Sequence, residues 1–165
     1  MAIMRVNPTR MELSRLKKRL QVARRGHKLL KDKLDELMKK FLDLVRKNKE
    51  LRETVEEMLM QVHQNFLIAR AVMSSEGLDA ALMLPKQSIS LEVSTKNIMS
   101  VDVPILNYKT SNNDESSIYP YGFATTSGEL DGAIAALSKA LPYMLELAQT
   151  EKSAQLLAQE IEKTR

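Results

Sequence analysis

The chain has 165 residues, 44% of them hydrophobic and 28% charged, with a formal net charge of +4 at pH 7. That balance excludes a disordered tail and a membrane-embedded bundle, and it fits one ordinary domain or one long hairpin of helices. The absence of Cys excludes a disulfide framework and Cys-based zinc or redox chemistry, in keeping with a reducing compartment such as the cytoplasm.

The average charge hides a polarity along the chain. Residues 1–50 hold 16 Lys/Arg against 6 Asp/Glu, whereas residues 51–165 hold 9 against 15. A basic end and an acidic remainder imply different partners for the two. Aromatics are only 4%, there is no Trp, and Gly and Pro number five each, which leaves a palette of good helix formers. The first twenty residues carry six Lys/Arg and no apolar core of a signal peptide. No stretch approaches the roughly 18 uninterrupted apolar residues of a spanning helix, so no membrane insertion is expected.

Thr9 and Glu12 form a capping box that opens a helix. From there Leu13, Leu16, Leu20, Ala23, His27, Leu30, Leu34, Leu37, Phe41, Leu44, Asn48, Leu51, Val55, Met58 and Val62 recur at alternating spacings of 3 and 4. A stripe at period 3.5 stays buried along its length only against a supercoiled partner helix, so the pattern predicts a coiled coil. With only Gly26 interrupting it, the helix is expected to run to about residue 76, roughly 100 Å at 1.5 Å per residue. Val22, Leu29, Met38, Leu42, Val45, Leu59 and Leu67 widen the stripe, which implies further helices or a partner over parts of it.

Leu78–Leu84 reads as a short helix ended by Pro85. The period then changes to two over 88–94 and again over 99–105, predicting a β-hairpin over about 88–105 with Lys96 and Asn97 between its strands. Residues 107–118 read as a polar loop, and Tyr119-Pro120-Tyr121-Gly122 as a turn. Thr126-Ser127-Gly128-Glu129 offers a second capping box before Leu130, Ile134, Leu137, Leu141 and Met144. Pro142 is expected to kink or divide this helix, with a weaker stripe through Leu145, Ala148, Leu156, Ala158 and Ile161. The fold class is therefore mostly α: a long antiparallel coiled-coil hairpin with a small β-hairpin subdomain. The expected division is residues 1–76, a long N-terminal coiled-coil helix; 77–126, a short helix, the β-hairpin and the polar loop; and 127–165, a returning helix. Taken from Leu141, the returning helix reaches about 37 Å, so the N-terminal part of the seam lacks a partner within the chain. Either the chain is a fragment with an incomplete returning helix, or another molecule supplies the missing helix. The bare apolar stripe also invites artefactual self-association.

Four separated motifs, Met4-Arg5-Val6-Asn7-Pro8-Thr9-Arg10, Arg25-Gly26-His27-Lys28-Leu29-Leu30-Lys31-Asp32-Lys33, Lys96-Asn97-Ile98-Met99-Ser100-Val101 and Glu160-Ile161-Glu162-Lys163-Thr164-Arg165, follow one another in an order that resembles the D subunit of the prokaryotic V-type/archaeal-type rotary ATPases. The resemblance spans essentially the whole chain. It implies a central rotor shaft that transmits torque between a catalytic hexamer of A and B subunits and the membrane ring, coupled to proton or sodium-ion transport. The implied partners are those A and B subunits, the small F subunit of the stalk and a membrane-ring connector subunit. The implied location is cytoplasmic and peripheral to the membrane. Family members continue their C-terminal helix for several heptads beyond the run at which this chain stops.

Three readings compete for the cations Arg15, Lys17, Lys18, Arg19, Arg24, Arg25 and Lys28. They are ranked as a bearing surface inside the hexamer, a solvated coiled-coil face, and, last, a nucleic-acid stripe, because no stacking aromatics accompany them; no nucleic-acid partner is expected. His27 is read as structural, since the other histidine, His63, lies roughly 54 Å away along the same helix. Asn48 is read as a device that fixes register. The hairpin residues Ile89, Leu91, Val93, Met99, Val101 and Val103 are candidates for a contact with another subunit of the complex. No phosphate-cradling Gly-rich loop, nucleophile constellation, metal site or cofactor site is found, so a non-catalytic chain is expected. A prefoldin-like chaperone, which also inserts β-hairpins between coiled-coil helices, is the alternative.

Overall fold

A computed structural model describes residues 7–110, 118–122 and 126–164. Its elements in chain order are α1 (Arg10–Val72), α2 (Ser75–Leu82), β1 (Ile89–Ile98), β2 (Val101–Thr110) and α3 (Gly128–Thr164). Met4, Arg5, Val6 and Arg165 of the sequence motifs, and residues 111–117 of the polar loop, lie outside the described residues.

The first helix starts where the capping residues place it. Thr9 accepts the backbone N–H of Glu12 at 3.3 Å, while the Glu12 carboxylate turns to Arg15 rather than back to the cap. The helix ends earlier than residue 76. Met73 adopts an extended backbone, and Ser74 accepts the N–H of Gly77 at 3.2 Å, capping a separate short helix. At 63 residues, α1 is about 95 Å long.

The returning helix covers nearly the expected 127–165 as one element, longer than the stretch from Leu141 alone. Pro142 lies inside α3 and does not divide it, so the 37-residue helix reaches about 56 Å. The second capping box does not form. The Ser127 hydroxyl is buried without a partner, its carbonyl accepts from Leu130, and the Thr126 hydroxyl donates to the Gly122 carbonyl.

α1 and α3 pack along each other antiparallel, and cross-helix ion pairs mark their register. Lys33 meets Glu160 at 3.3 Å and Lys47 meets Glu146 at 2.6 Å. Both partners shift by 14 residues between these pairs, two heptads in opposite directions. Arg52 joins Glu151 on the other flank, and this contact raises the pKa of the guanidinium, first through the hydrogen bond and then through the carboxylate charge.

The seam is buried only where α3 covers it. Leu37 and Val55 are buried, Leu34, Phe41, Leu44, Leu51, Met58 and Val62 are half-buried, and Leu13, Leu20, Ala23, His27 and Leu30 are exposed. On α3 the inward side is made largely of small residues: Ala133, Ala140, Thr150, Ser153 and Ala154 are buried beside Leu130 and Leu157. Leu137, Met144, Ala148 and Ala158, expected in the stripe, are exposed. Small side chains let two helices approach closely, so burial on α3 follows size as much as hydrophobicity.

Two apolar clusters hold the assembly. Leu37 and Leu157 meet Val101 and Val103 of the hairpin, with Phe41, Leu44, Ile98, Met99, Leu156 and Ile161 around them. At the other end Ala69, Leu78, Ala81 and Leu130 pack with Phe66, Met73, Tyr121 and Ile134. The expected turn at Tyr119-Pro120-Tyr121-Gly122 thus also supplies an anchor. The Tyr121 hydroxyl donates to Asp131 at 2.7 Å, and burial followed by that bond pushes the phenol above its ordinary pKa.

Candidate functional site: a mechanical and docking surface

The hairpin register pairs Ile98 with Val101 and runs without a bulge to Ile89 and Thr110. Its two-residue turn is Met99-Ser100, three positions beyond Lys96-Asn97. Both residues take positive φ, 53° and 73°. That is the primed turn which suits strand twist but is normally given to Asn and Gly. Here Asn97 supports it from the side, its Oδ1 accepting the Ser100 N–H at 3.1 Å and its Nδ2 donating to Asp102 at 2.7 Å. Polar side chains that look like turn residues in sequence therefore brace a turn made by their neighbours.

The hairpin lies lengthwise on the helix pair through β2. Val101 and Val103 contact Leu157, and the Leu106 N–H donates to the Gln149 side chain at 2.9 Å. The six hairpin residues singled out in sequence accordingly separate. Met99, Val101 and Val103 face the helices, whereas Ile89, Leu91 and Val93 are 45%, 46% and 62% exposed.

Arg15, Lys17, Lys18, Arg19, Arg24, Arg25 and Lys28 are all exposed on the part of α1 that projects beyond α3. Among the described residues Arg15 alone of the seven has an ion-pair partner, Glu12 at 3.7 Å. His27 shares an open groove with Leu30, Lys31, Leu34 and Thr164, at the level where α3 reaches the end of the described chain. Among the described residues no three His, Cys, Asp or Glu side chains gather where they could hold a metal ion.

Asn48 sits in the covered part of the seam with its Oδ1 buried and unpaired. The hydroxyls of Thr150 and Ser153, also buried, donate to carbonyls of their own helix, Glu146 and Gln149. The covered interface thus carries three polar side chains, Asn48, Thr150 and Ser153, among apolar neighbours. Sequence periodicity identified Asn48, but it carried no signal for Thr150 and Ser153, which occupy no apolar position.

Further exposed apolar side chains, missed in the sequence, lie at the turn that follows α1, the lower turn: Ile68 and Val72 in the last turns of α1, and Leu82, Met83 and Leu84 at and just after the end of α2, while Leu78 and Ala81 pack inward. No helix among the described residues is long and apolar enough to cross a membrane.

The family profile that describes the D subunit of ATP synthase matches residues 12–165. The chain is 86% identical to the V-type ATP synthase D subunit of Acetivibrio thermocellus over 165 residues, all of this chain and 74% of that protein. It is 66% identical to the protein of the same name from Clostridioides difficile, again over all of this chain and 74% of the relative. With that of Clostridium novyi the identity is 61% over 166 residues, covering this whole chain and 77% of the relative.

Proposed function

The chain belongs to the family of ATP synthase D subunits, non-catalytic components of the central stalk, and from that premise we propose that it works as the rotor shaft between an A/B catalytic hexamer and a membrane-ring connector. The observation that carries this reading is the helix pair itself. A helix about 95 Å long, paired with α3 over about 56 Å and registered there by ion pairs two heptads apart, resists sliding and untwisting along the paired part when torque is applied at one end. The chaperone alternative has no support from the relatives.

In this reading each region of the rod has its own partner. The projecting basic end, Arg15 to Lys28, runs inside the hexamer as a bearing: broad attraction to acidic and polar loops, with no deep minimum to stall rotation. The exposed apolar residues at the lower turn, Val72 and Leu82 to Leu84, seat the connector to the membrane ring. The outer face of the hairpin contacts the small F subunit of the stalk. Closure of successive catalytic sites pushes the asymmetric rod to successive orientations, coupling ATP turnover to proton or sodium movement in either direction. The shaft works on the cytoplasmic side, peripheral to the membrane.

Rotation is the direct test. With the A/B hexamer immobilised and a bead on the lower turn of this chain, ATP is expected to drive stepwise, unidirectional rotation. A hexamer that binds the chain and hydrolyses ATP while the bead only diffuses would sink the shaft reading.

A further inference from the structure

The two edges of the hairpin are finished differently. A two-residue turn closes on a hydrogen-bonded pair, here Ile98 and Val101, so backbone bonds alternate away from it. Ser90, Glu92, Ser94 and Lys96 exchange bonds with β2, while Ile89, Leu91, Val93, Thr95 and Asn97 turn their N–H and C=O groups outward. On β2 the outward edge is closed: Pro104 has no N–H, the Leu106 N–H is taken by Gln149, and the strand lies against α3. On β1 it is open. Nine of its ten residues are exposed, those on the helix-facing side included, so the strand overhangs the rod. Its five outward N–H groups find no acceptor among the described residues.

An open edge about 33 Å long is a template for another strand, and the pattern of β1 says which one. Ile89-Ser90-Leu91-Glu92-Val93 alternates apolar and polar identically in both directions, so it is complementary to itself about Leu91. An antiparallel copy centred there sets Leu91 against its counterpart and Ile89 against Val93 on either side. All three are hydrogen-bonded pairs, because these residues carry the outward groups. Neighbouring registers fail. Centred on Glu92, two carboxylates stand face to face; centred on Val93 or Ser94, Leu91 meets Thr95 or Asn97. In the Leu91 register Glu92 meets Ser90, and its charge is already answered by Lys109 of its own hairpin at 2.7 Å. Tyr108, across from Leu91 on β2, extends the apolar row over both hairpins.

The placement of the hairpin on the rod agrees. Val103 at Leu157 and the Leu106 N–H at Gln149 show that it runs along α3, which puts Leu91 about 23 Å from the turn and about level with Leu51 of α1. Two rods related by a two-fold axis at that level lie antiparallel. Their basic ends, Arg15 to Lys28, are then roughly 90 Å apart, far beyond screening over about 8 Å. Pairing through the bare seam, Leu13 to Leu30, would crowd the same cations of both copies together.

We propose that β1 is a self-association edge: in the free chain it pairs antiparallel with β1 of a second copy about an axis at Leu91, giving a four-stranded sheet that bridges two antiparallel rods. The pairing does not depend on the rotor reading. Within that reading a shaft running singly in a hexamer has to break it, so the dimer is the form that holds the chain before assembly.

The test is the oligomeric state of the intact chain, by sedimentation over a rising concentration series, with amide exchange read on the same samples. A monomer–dimer equilibrium is expected, in which the amides of Ile89, Leu91 and Val93 slow as concentration rises while those of Thr95 and Asn97 stay fast. Val93→Pro removes an outward N–H that β1–β2 pairing does not use and, by symmetry, two bonds of the dimer. It is expected to weaken dimerisation about tenfold or more. Val93→Thr, which keeps the N–H, and Leu20→Gln, which blunts the bare seam, should dimerise like the parent. A chain that stays monomeric up to its solubility limit overturns the proposal. So does a dimer that Leu20→Gln dissolves and Val93→Pro leaves intact, which places the contact on the bare seam. Slowed exchange at Thr95 and Asn97 together with Leu91 overturns the register and the proposal with it. If Val93→Pro does not fold, the exchange pattern of the parental chain decides alone.

Discussion

Asn48 shows how one side chain sets the character of the shaft. Its Oδ1 is buried and unpaired in a seam that Leu44 and Leu51 otherwise keep apolar. An unsatisfied buried acceptor costs about 1–3 kcal/mol, and such residues persist where they fix register or where stability is not what selection maximises. Asn48→Leu removes that penalty and adds apolar burial, so the variant is expected to melt about 2–12 °C higher for a chain of this size. A lower melting temperature would show that the site does not accept the larger apolar group, and that Asn48 relieves crowding rather than leaving an acceptor unpaired. A companion change sits at the hairpin turn. Ser100 is exposed with φ 73°, and its N–H, which Asn97 holds, would be retained by glycine. The left-handed region costs an L-residue about 1–2 kcal/mol, partly offset by the larger unfolded-state freedom of glycine. Ser100→Gly should therefore raise stability by about 0.5–1 kcal/mol, read as a shifted denaturation midpoint at constant slope. A fall in midpoint would mean that the serine side chain contributes more than its backbone costs.

At the scale of elements, the same heptad stripe has two energetic fates along one helix. Leu37 is fully buried against Val101, Val103 and Leu157, whereas Leu20 is 52% exposed. Leu37→Ala should cost about 2–5 kcal/mol, Leu37→Asp should lower the melt further by burying a charge, and Leu20→Ala should stay within about 0.5 kcal/mol. Comparable losses at both positions in the isolated chain would show that the projecting seam is already covered by a second molecule. These contrasts also explain what could be read in advance. Large apolar residues at period 3.5 announce α1 regardless of what covers them, so the long helix and its coiled-coil face were legible, but not where cover stops. The inner side of α3 was legible at Leu130, Ile134, Leu156 and Ile161 but not at Ala140, Thr150, Ser153 and Ala154, because close approach selects small residues, which carry little periodic hydrophobic signal. The hairpin was legible as alternation. Its turn was misplaced because Asn97 has turn chemistry but braces the turn from the strand, while Met99, with none, takes positive φ and packs against the cluster of Leu37, Val101, Val103 and Leu157. Of the candidate site, the basic stripe was plain, but the division of the hairpin into a buried β2 and a free β1 edge depends on how it lies on α3.

For the whole molecule, the charge polarity becomes a spatial one: the excess of cations projects on bare α1, and the acidic residues Glu146, Glu151 and Glu160 are tied up along the covered part. Unpaired exposed cations add little to folding, since neither burial nor a partner is lost with them. They do generate a long-range field, screened over about 8 Å at physiological ionic strength. If this end is the bearing of the proposed shaft, replacing Lys17, Lys18, Arg24 and Arg25 together by Gln separates the two roles. The melting temperature should stay within the range of a surface change, about 0.5 kcal/mol. Association with the A/B hexamer should slow about ten-fold or more at low salt, where steering is strongest, and the parental advantage should shrink as salt is added. An association rate and salt slope equal to the parent's would mean that the hexamer grips the rod through Leu13, Leu20 and Leu30 instead. The basic face would then be solvent-facing decoration, and rotation would proceed against an apolar bearing with deeper, more specific resting positions.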